Sequence, residues 1–140
     1  MSALLLSLAA MAFPVQAFDR YTAHGGPVRD LTISPDGSML VSASFDYSAV
    51  VWTAPHITEK LTLYAHEAAV NTARFSPDGK LLATAGDDGR IYLWKKDVLV
   101  DEDPEPIILS GHKGKVVNLA FSDDGSLLAS ASWDGSIGLW

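Results

Sequence analysis

The chain has no cysteine among its 140 residues. Within it, that excludes disulfides, thiolate metal sites, thiol nucleophiles and a Cys-x-x-Cys-His haem attachment. The absence does not decide the compartment, and it is compatible with an oxidising one. Basic residues are scarce: 10 Lys and Arg stand against 17 Asp and Glu, for a formal net charge of −7. No Lys/Arg cluster reverses this locally, so the surface repels a phosphate backbone and no nucleic-acid partner is expected. Long apolar runs are missing as well. The run from Ala3 to Phe13 falls short of the about 20 residues that a membrane span takes, so no span is expected. Beyond residue 17 no segment carries a helical period. What is there is 48% apolar and 19% charged, enough for a core and unlike a disordered chain.

Residues 1–17 read MSALLLSLAAMAFPVQA. Pro14 would break a helix there. Val15 and Ala17 stand at −3 and −1 of a cut before Phe18, the pattern of a secretory signal peptide. No Lys or Arg precedes the apolar run, so either the signal is weak or the true start lies upstream of Met1. The expectation is a periplasmic or secreted protein whose mature part is residues 18–140.

That part repeats. His24, His66 and His112 are spaced by 42 and 46 residues, as are Trp52, Trp94 and Trp140. An aspartate, Asp46, Asp88 or Asp134, stands six residues before each tryptophan. Val28, Val70 and Val116 each lie four residues after the histidine. Ser34, Ser76 and Ser122 open turns through Gly37, Gly79 and Gly125, glycine being suited to the positive φ such turns often need. The apolar stretches between turns are short, alternate with period 2, and are rich in Val, Ile, Leu and aromatics. They predict antiparallel strands near 28–34, 39–44 and 48–53, near 70–76, 81–86 and 90–95, and near 116–122, 127–132 and 136–140. A fourth strand is predicted near Lys60–Tyr64 and again near Pro106–Ser110.

Such a unit, opened by Ala23-His24, Ala65-His66 or Gly111-His112 and closed by tryptophan, resembles the WD40 repeat. The resemblance covers about residues 18–140. It departs in having Gly before His only in the third copy, and Thr53 and Lys95 in place of the usual Asp after Trp. It implies an all-β fold of propeller blades: about 24–65, 66–111 and 112–140, the last lacking its fourth strand. It further implies a structural hydrogen-bonded chain from Trp through a hydroxyl and His to Asp, rather than a catalytic triad. Trp only donates and ionised Asp only accepts, and His and Ser/Thr can bridge them. A triad would be single, whereas this set occurs three times. The hydroxyl is Ser42 or Ser44, Thr84 or nothing at Gly86, and Ser130 or Ser132. One geometry for all copies selects Ser42, Thr84 and Ser130. The three histidines belong to different blades and would not converge on one metal ion. His56 reads as a solvated loop residue, and no cofactor is expected.

Propellers have about 4–8 blades, so three copies fall short of closure. The chain stops at Trp140 without a fourth strand, and Asp19–Ala23 reads as an outer strand whose blade is missing. The expectation is that further blades come from a longer chain; the alternative is closure by oligomerising. Lys95–Pro106 reads as a longer hairpin carrying an acidic cluster, Asp101–Glu105, at its solvated tip. In WD40 proteins the face bearing the His loops and Asp turns is the commonest binding face. There the candidates are Phe45, Tyr47, Asp87 and Trp133, then Arg29, with Asn71 and Asn118 near the same rim. The expected function is a non-enzymatic protein-interaction scaffold. The alternative is the N-terminal part of an exported electron-transfer protein with a C-terminal c-type cytochrome domain.

Overall fold

The computed structural model describes residues 20–140; the signal-peptide pattern lies outside them. Eleven strands form three antiparallel sheets. The first holds β1 (Val28–Ile33), β2 (Met39–Ser44), β3 (Ala49–Thr53) and β4 (Thr58–Leu63), in that order. The second holds β5 (Val70–Phe75), β6 (Leu81–Gly86), β7 (Arg90–Lys95) and β8 (Ile107–Ser110). The third holds β9 (Val116–Phe121), β10 (Leu128–Ser132) and β11 (Ile137–Leu139). The sheets stack in chain order, with β5 packed against both β1 and β9. This is the all-β arrangement of successive blades of an incomplete propeller.

Turn chemistry sets the registers. Ser34 Oγ donates to Asp36 Oδ1 at 2.6 Å, and the same oxygen takes the Ser38 N–H at 3.0 Å. Ser76–Asp78–Lys80 and Ser122–Asp124–Ser126 repeat this. The glycine between, at φ near 70° in each copy, supplies the left-handed residue. Asp124 is held at about 2, first by the hydrogen bond from Ser122.

The core lies between the sheets. Val41, Ala43, Ala49 and Val51 on the first sheet meet Val70, Ala73, Phe75 and Leu82 on the second. Ala83, Ala85 and Ile91 on the second meet Val116, Leu119 and Leu128 on the third. Each sheet thus has two apolar faces, one turned to the previous blade and one to the next.

Three sequence expectations need correction. The outer strand of the first sheet begins at Thr58, earlier than expected. Residues 20–24 are not in a strand: they run across the outer face of the first sheet, lining a groove with Leu31, Leu40 and Trp52, and no neighbouring strand edge pairs with them. The third difference is in the long connection after Trp94. It is not wholly a solvated hairpin, because Lys96–Val100 forms a 3-10 turn against β7 and β4 that buries Leu99 completely. Asp101, Glu102 and Asp103 beyond it are exposed, as the acidic tip requires.

Leu99 fills the first inter-sheet core from a loop. Leu99→Ala should lower stability by about 2–5 kcal/mol in urea unfolding, the usual cost of truncating a buried leucine. Val100→Ala, one residue on and exposed, should change it by less than about 0.5 kcal/mol. Equal effects at the two positions would refute the docking of this turn.

Candidate functional site

The two turns of each sheet lie at opposite ends of the strands, and the Asp46, Asp88 and Asp134 turns share one end with the histidine loops. In the first copy Trp52 Nε1 donates to Ser42 Oγ at 2.9 Å, that hydroxyl meets His24 Nε2 at 2.7 Å, and His24 Nδ1 meets Asp46 Oδ2 at 2.9 Å. The second copy has Trp94–Thr84 at 3.1 Å, Thr84–His66 at 3.0 Å and His66–Asp88 at 2.9 Å. The third has Trp140–Ser130 at 3.0 Å, Ser130–His112 at 2.7 Å and His112–Asp134 at 3.0 Å. A neutral imidazole protonated on Nδ1 satisfies every member: tryptophan donates to the hydroxyl, the hydroxyl to Nε2, and Nδ1–H to the carboxylate. The hydroxyl residues are buried in all three copies. Ser44, the other candidate, instead donates to Pro27 O at 3.0 Å.

Each aspartate does more than hold its histidine. Asp46 Oδ2 also accepts the Gly25 N–H at 2.9 Å, and Oδ1 accepts Ser48 Oγ at 2.6 Å and the Ser48 N–H at 3.0 Å. Asp134 repeats this with Lys113 and Ser136. Ser48 and Ser136 escaped the sequence reading, although an Asp-x-Ser spacing marks both; Arg90 stands there in the second copy and supplies only its N–H. Burial alone would raise the Asp46 carboxyl, but the bonds from Ser48, His24 and Gly25 outweigh it and hold it at about 2. Asp88 shows the same contest: burial raises it, and His66 with the Arg90 and Glu67 N–H groups brings it below the ordinary range.

The residues around these turns form the rim. A bulge interrupts each inner strand at its start, between Val28 and Asp30, between Val70 and Thr72, and opposite Ala131/Ser132 in the third sheet. The extra residues, Arg29 and Asn71 in the first two, are re-aimed away from the ladder. The Arg29 guanidinium lies 4.8 Å from the Phe45 ring centroid, and Lys115 Nζ lies 5.3 Å from that of Trp133. Trp133 is 72% exposed, and Tyr47 and Phe45 are exposed too. Tyr47 has φ 72°, at the turn position where the other copies have Gly89 and Gly135. Asp87 differs from its companions. Burial would raise its carboxyl, but Lys115 and Asn71 hydrogen-bond it and lower it on balance. Asn71 also donates to Val116 O at 3.0 Å, so Asp87 and Asn71 tie the second sheet to the third. Asn118 accepts its neighbour's N–H and stands at the open face of the third sheet rather than with the exposed aromatics.

Asp88→Ala should lower stability by about 1–3 kcal/mol near neutral pH, because it leaves the His66 N–H unpaired. Asp88 is depressed in the folded state, so its contribution is complete above the unfolded carboxyl pKa of about 4 and is lost as pH falls through its lower folded value. The deficit of the variant in denaturant midpoint should therefore shrink as pH is lowered below about 4. A deficit that stays constant down to the acid limit of folding would contradict this assignment.

Comparison with known proteins agrees with the geometry. The family model described as "WD domain, G-beta repeat" matches residues 16–53, 57–95 and 105–140. Among curated proteins the chain is similar to Protein hir-1 of Neurospora crassa, 43% identical over 56 residues, covering 39% of this chain and 5% of that protein. It is also similar to the Periodic tryptophan protein 2 homolog of Neurospora crassa, 45% identical over 38 residues, covering 27% of this chain and 4% of that protein. The chain therefore spans a small fraction of the length of the curated relatives it matches. Matched along most of its length and folded into successive antiparallel blades, it belongs to the WD40 repeat family.

Proposed function

We propose that this chain is a non-enzymatic scaffold that holds a protein partner on the turn face of its blades, through Phe45, Tyr47 and Trp133 with Arg29 beside them. WD40 repeats imply a protein-interaction scaffold, and proteins built from them are generally not enzymes. Tyr47 is the observation that carries the choice of face. A bulky residue in the left-handed region costs on the order of 1–3 kcal/mol, and glycine serves the same turn in the other two copies. The tyrosine packs into no core and stands exposed beside a second aromatic, as an interface anchor would. Catalysis by the His–Asp pairs is disfavoured by their own bonding: each Nε2 is already engaged by a buried hydroxyl that also takes a tryptophan N–H. No feature of the fold or of the matched relatives favours the cytochrome alternative. Among the described residues no helix is long and apolar enough to cross a membrane. Export to the periplasm or the medium is part of this reading and rests on residues 1–17 alone.

Photo-crosslinking residues placed at Phe45 and at Trp133 should capture the same protein. That capture should be lost with Trp133→Ala and weakened with Tyr47→Gly, while Tyr47→Gly leaves stability equal or higher. Equal capture from Lys80, at the opposite end of the strands, would reject the turn face. Export predicts a mature chain whose first residue is Phe18; a retained Met1 on the isolated protein would reject it.

A further inference from the structure

We propose that the partner held on the turn face presents a short acidic segment, a carboxylate beside an apolar side chain, and that Arg29 receives the carboxylate. This rests on the turn-face reading above and names the chemistry of what is held there. Arg29 differs from the arginines of the second sheet, which are occupied within the chain. Arg74 donates to Asp30, Ala73 O and Asn118, and Arg90 to Glu67 and Tyr92. Among the described residues no acceptor takes the N–H groups of Arg29, and its guanidinium lies over the Phe45 ring, 4.8 Å from the centroid. The ring holds one face of a planar group whose donors point outward in its own plane. That leaves the edge of the guanidinium, on an exposed residue, for a carboxylate taken through two parallel N–H bonds. Phe45 and Tyr47, both exposed, offer apolar surface for the side chain next to that carboxylate.

The charges of this face point the same way. Its cations, Arg29, Arg90, Lys113 and Lys115, are scattered in the sequence, and stacking collects them. Burial would raise the Asp87 carboxyl, but Lys115, Asn71 and, through space, Arg29 lower it. Arg29 on the first sheet and Lys115 at the head of the third thus act on one carboxylate of the second. Among the described residues, the carboxylates at this end are already engaged: Asp46, Asp88 and Asp134 by the histidines, Glu67 by Arg90 and Asp87 by Lys115. Arg29 and Lys113, by contrast, face no carboxylate at ion-pair distance among the described residues. The cluster takes its groups from three stacked sheets, so it exists wherever these three stack, whatever lies on either side of them.

The exposed acids stand elsewhere. Asp36, Asp78, Asp123 and Asp124 lie on the Ser turns at the other end of the strands. The Asp101–Glu105 cluster follows β7 at that end, where acids outnumber Lys80, Lys95 and Lys96. Strands of this length put that end about 17–20 Å away, beyond the about 8 Å over which charge acts at physiological salt. A short acidic segment on the turn face therefore meets local cations and is screened from the net charge of −7. A long acidic tract would reach the repelling end.

A displayed library of random peptides, panned against the full chain, tests this. Retained peptides should carry Asp or Glu beside Phe, Leu or Trp, and should crosslink from a photoreactive residue at Phe45. Arg29→Glu should weaken a synthetic copy of a retained peptide about tenfold, Arg29→Lys less, and Lys80→Glu at the other end not measurably. Arg29 is exposed and outside the strand ladder, and circular dichroism matching the parent's establishes that its variants are folded. Peptides without acidic residues that still crosslink from Phe45 overturn the acidic class and leave the turn face standing. Peptides that crosslink from a photoreactive residue at Lys80 and not from Phe45 reject the turn face itself. A single-stranded oligonucleotide that displaces the peptide as well as a second acidic peptide does overturns the proposal, since phosphate would then serve equally. Retention of no peptide overturns it, and so does equal weakening by Lys80→Glu.

Discussion

Every sheet of this protein has two apolar faces, and a sheet with two apolar faces cannot rest against water on either. That constraint makes blade stacking the source of the core. The second sheet, covered on both sides, contains more residues with no exposure at all than either neighbour, among them Leu82, Ala83 and Ile91. The first and third sheets each have one neighbouring sheet, and residues 20–24 run across the other face of the first. Stability in such a stack is carried by neighbour-to-neighbour layers rather than by one central cluster, and the two separate core clusters reflect this.

The polar network follows from the same geometry. Stacking buries the side chains near the strand ends, and a buried polar atom without a partner is costly. The tryptophan, hydroxyl, histidine and aspartate solve this within each blade, and among the described residues no buried side-chain nitrogen or oxygen lacks a partner. Between blades a second set of contacts works: Asp30 with Thr72 and Arg74, Asp87 with Lys115, Asn71 with Val116 O, and Lys96 with Asp36. These align neighbouring sheets. The apolar layers between them are rich in Ala, Val and Leu, with Phe75 and Ile91 among them, and apolar contact by itself carries no direction.

Strands and turns were legible because each depends on residues close in sequence. The spacing of His, Asp and Trp gave the repeat frame, and Gly86, by lacking a hydroxyl, pointed to Thr84 and so to Ser42 and Ser130. What escaped depends on proximity between blades. Nothing around Asp30 marks it as a partner of Arg74, since their approach exists only once two sheets are stacked. Leu99 was hidden by its acidic surroundings: a single leucine in a charged connection has no period, yet it completes a core. Arg20–Ala23 resembles the segments that precede the other histidines, but a strand needs an edge to pair with, and that is a property of its surroundings.

The bulge at the start of each inner strand has a further meaning. The inserted residue belongs to no ladder pair and packs in no apolar layer, so its identity is uncoupled from register and core. Arginine, asparagine and valine occupy it at 29, 71 and 117, and the sheets keep the same topology around them. At 29 and 117 this leaves a rim position where chemistry can drift while the fold stays fixed, whereas Asn71 is committed to Asp87 and Val116 O and ties the second sheet to the third. Related chains could acquire different partners by changing positions 29 and 117 while the tie between sheets at Asn71 stays in place.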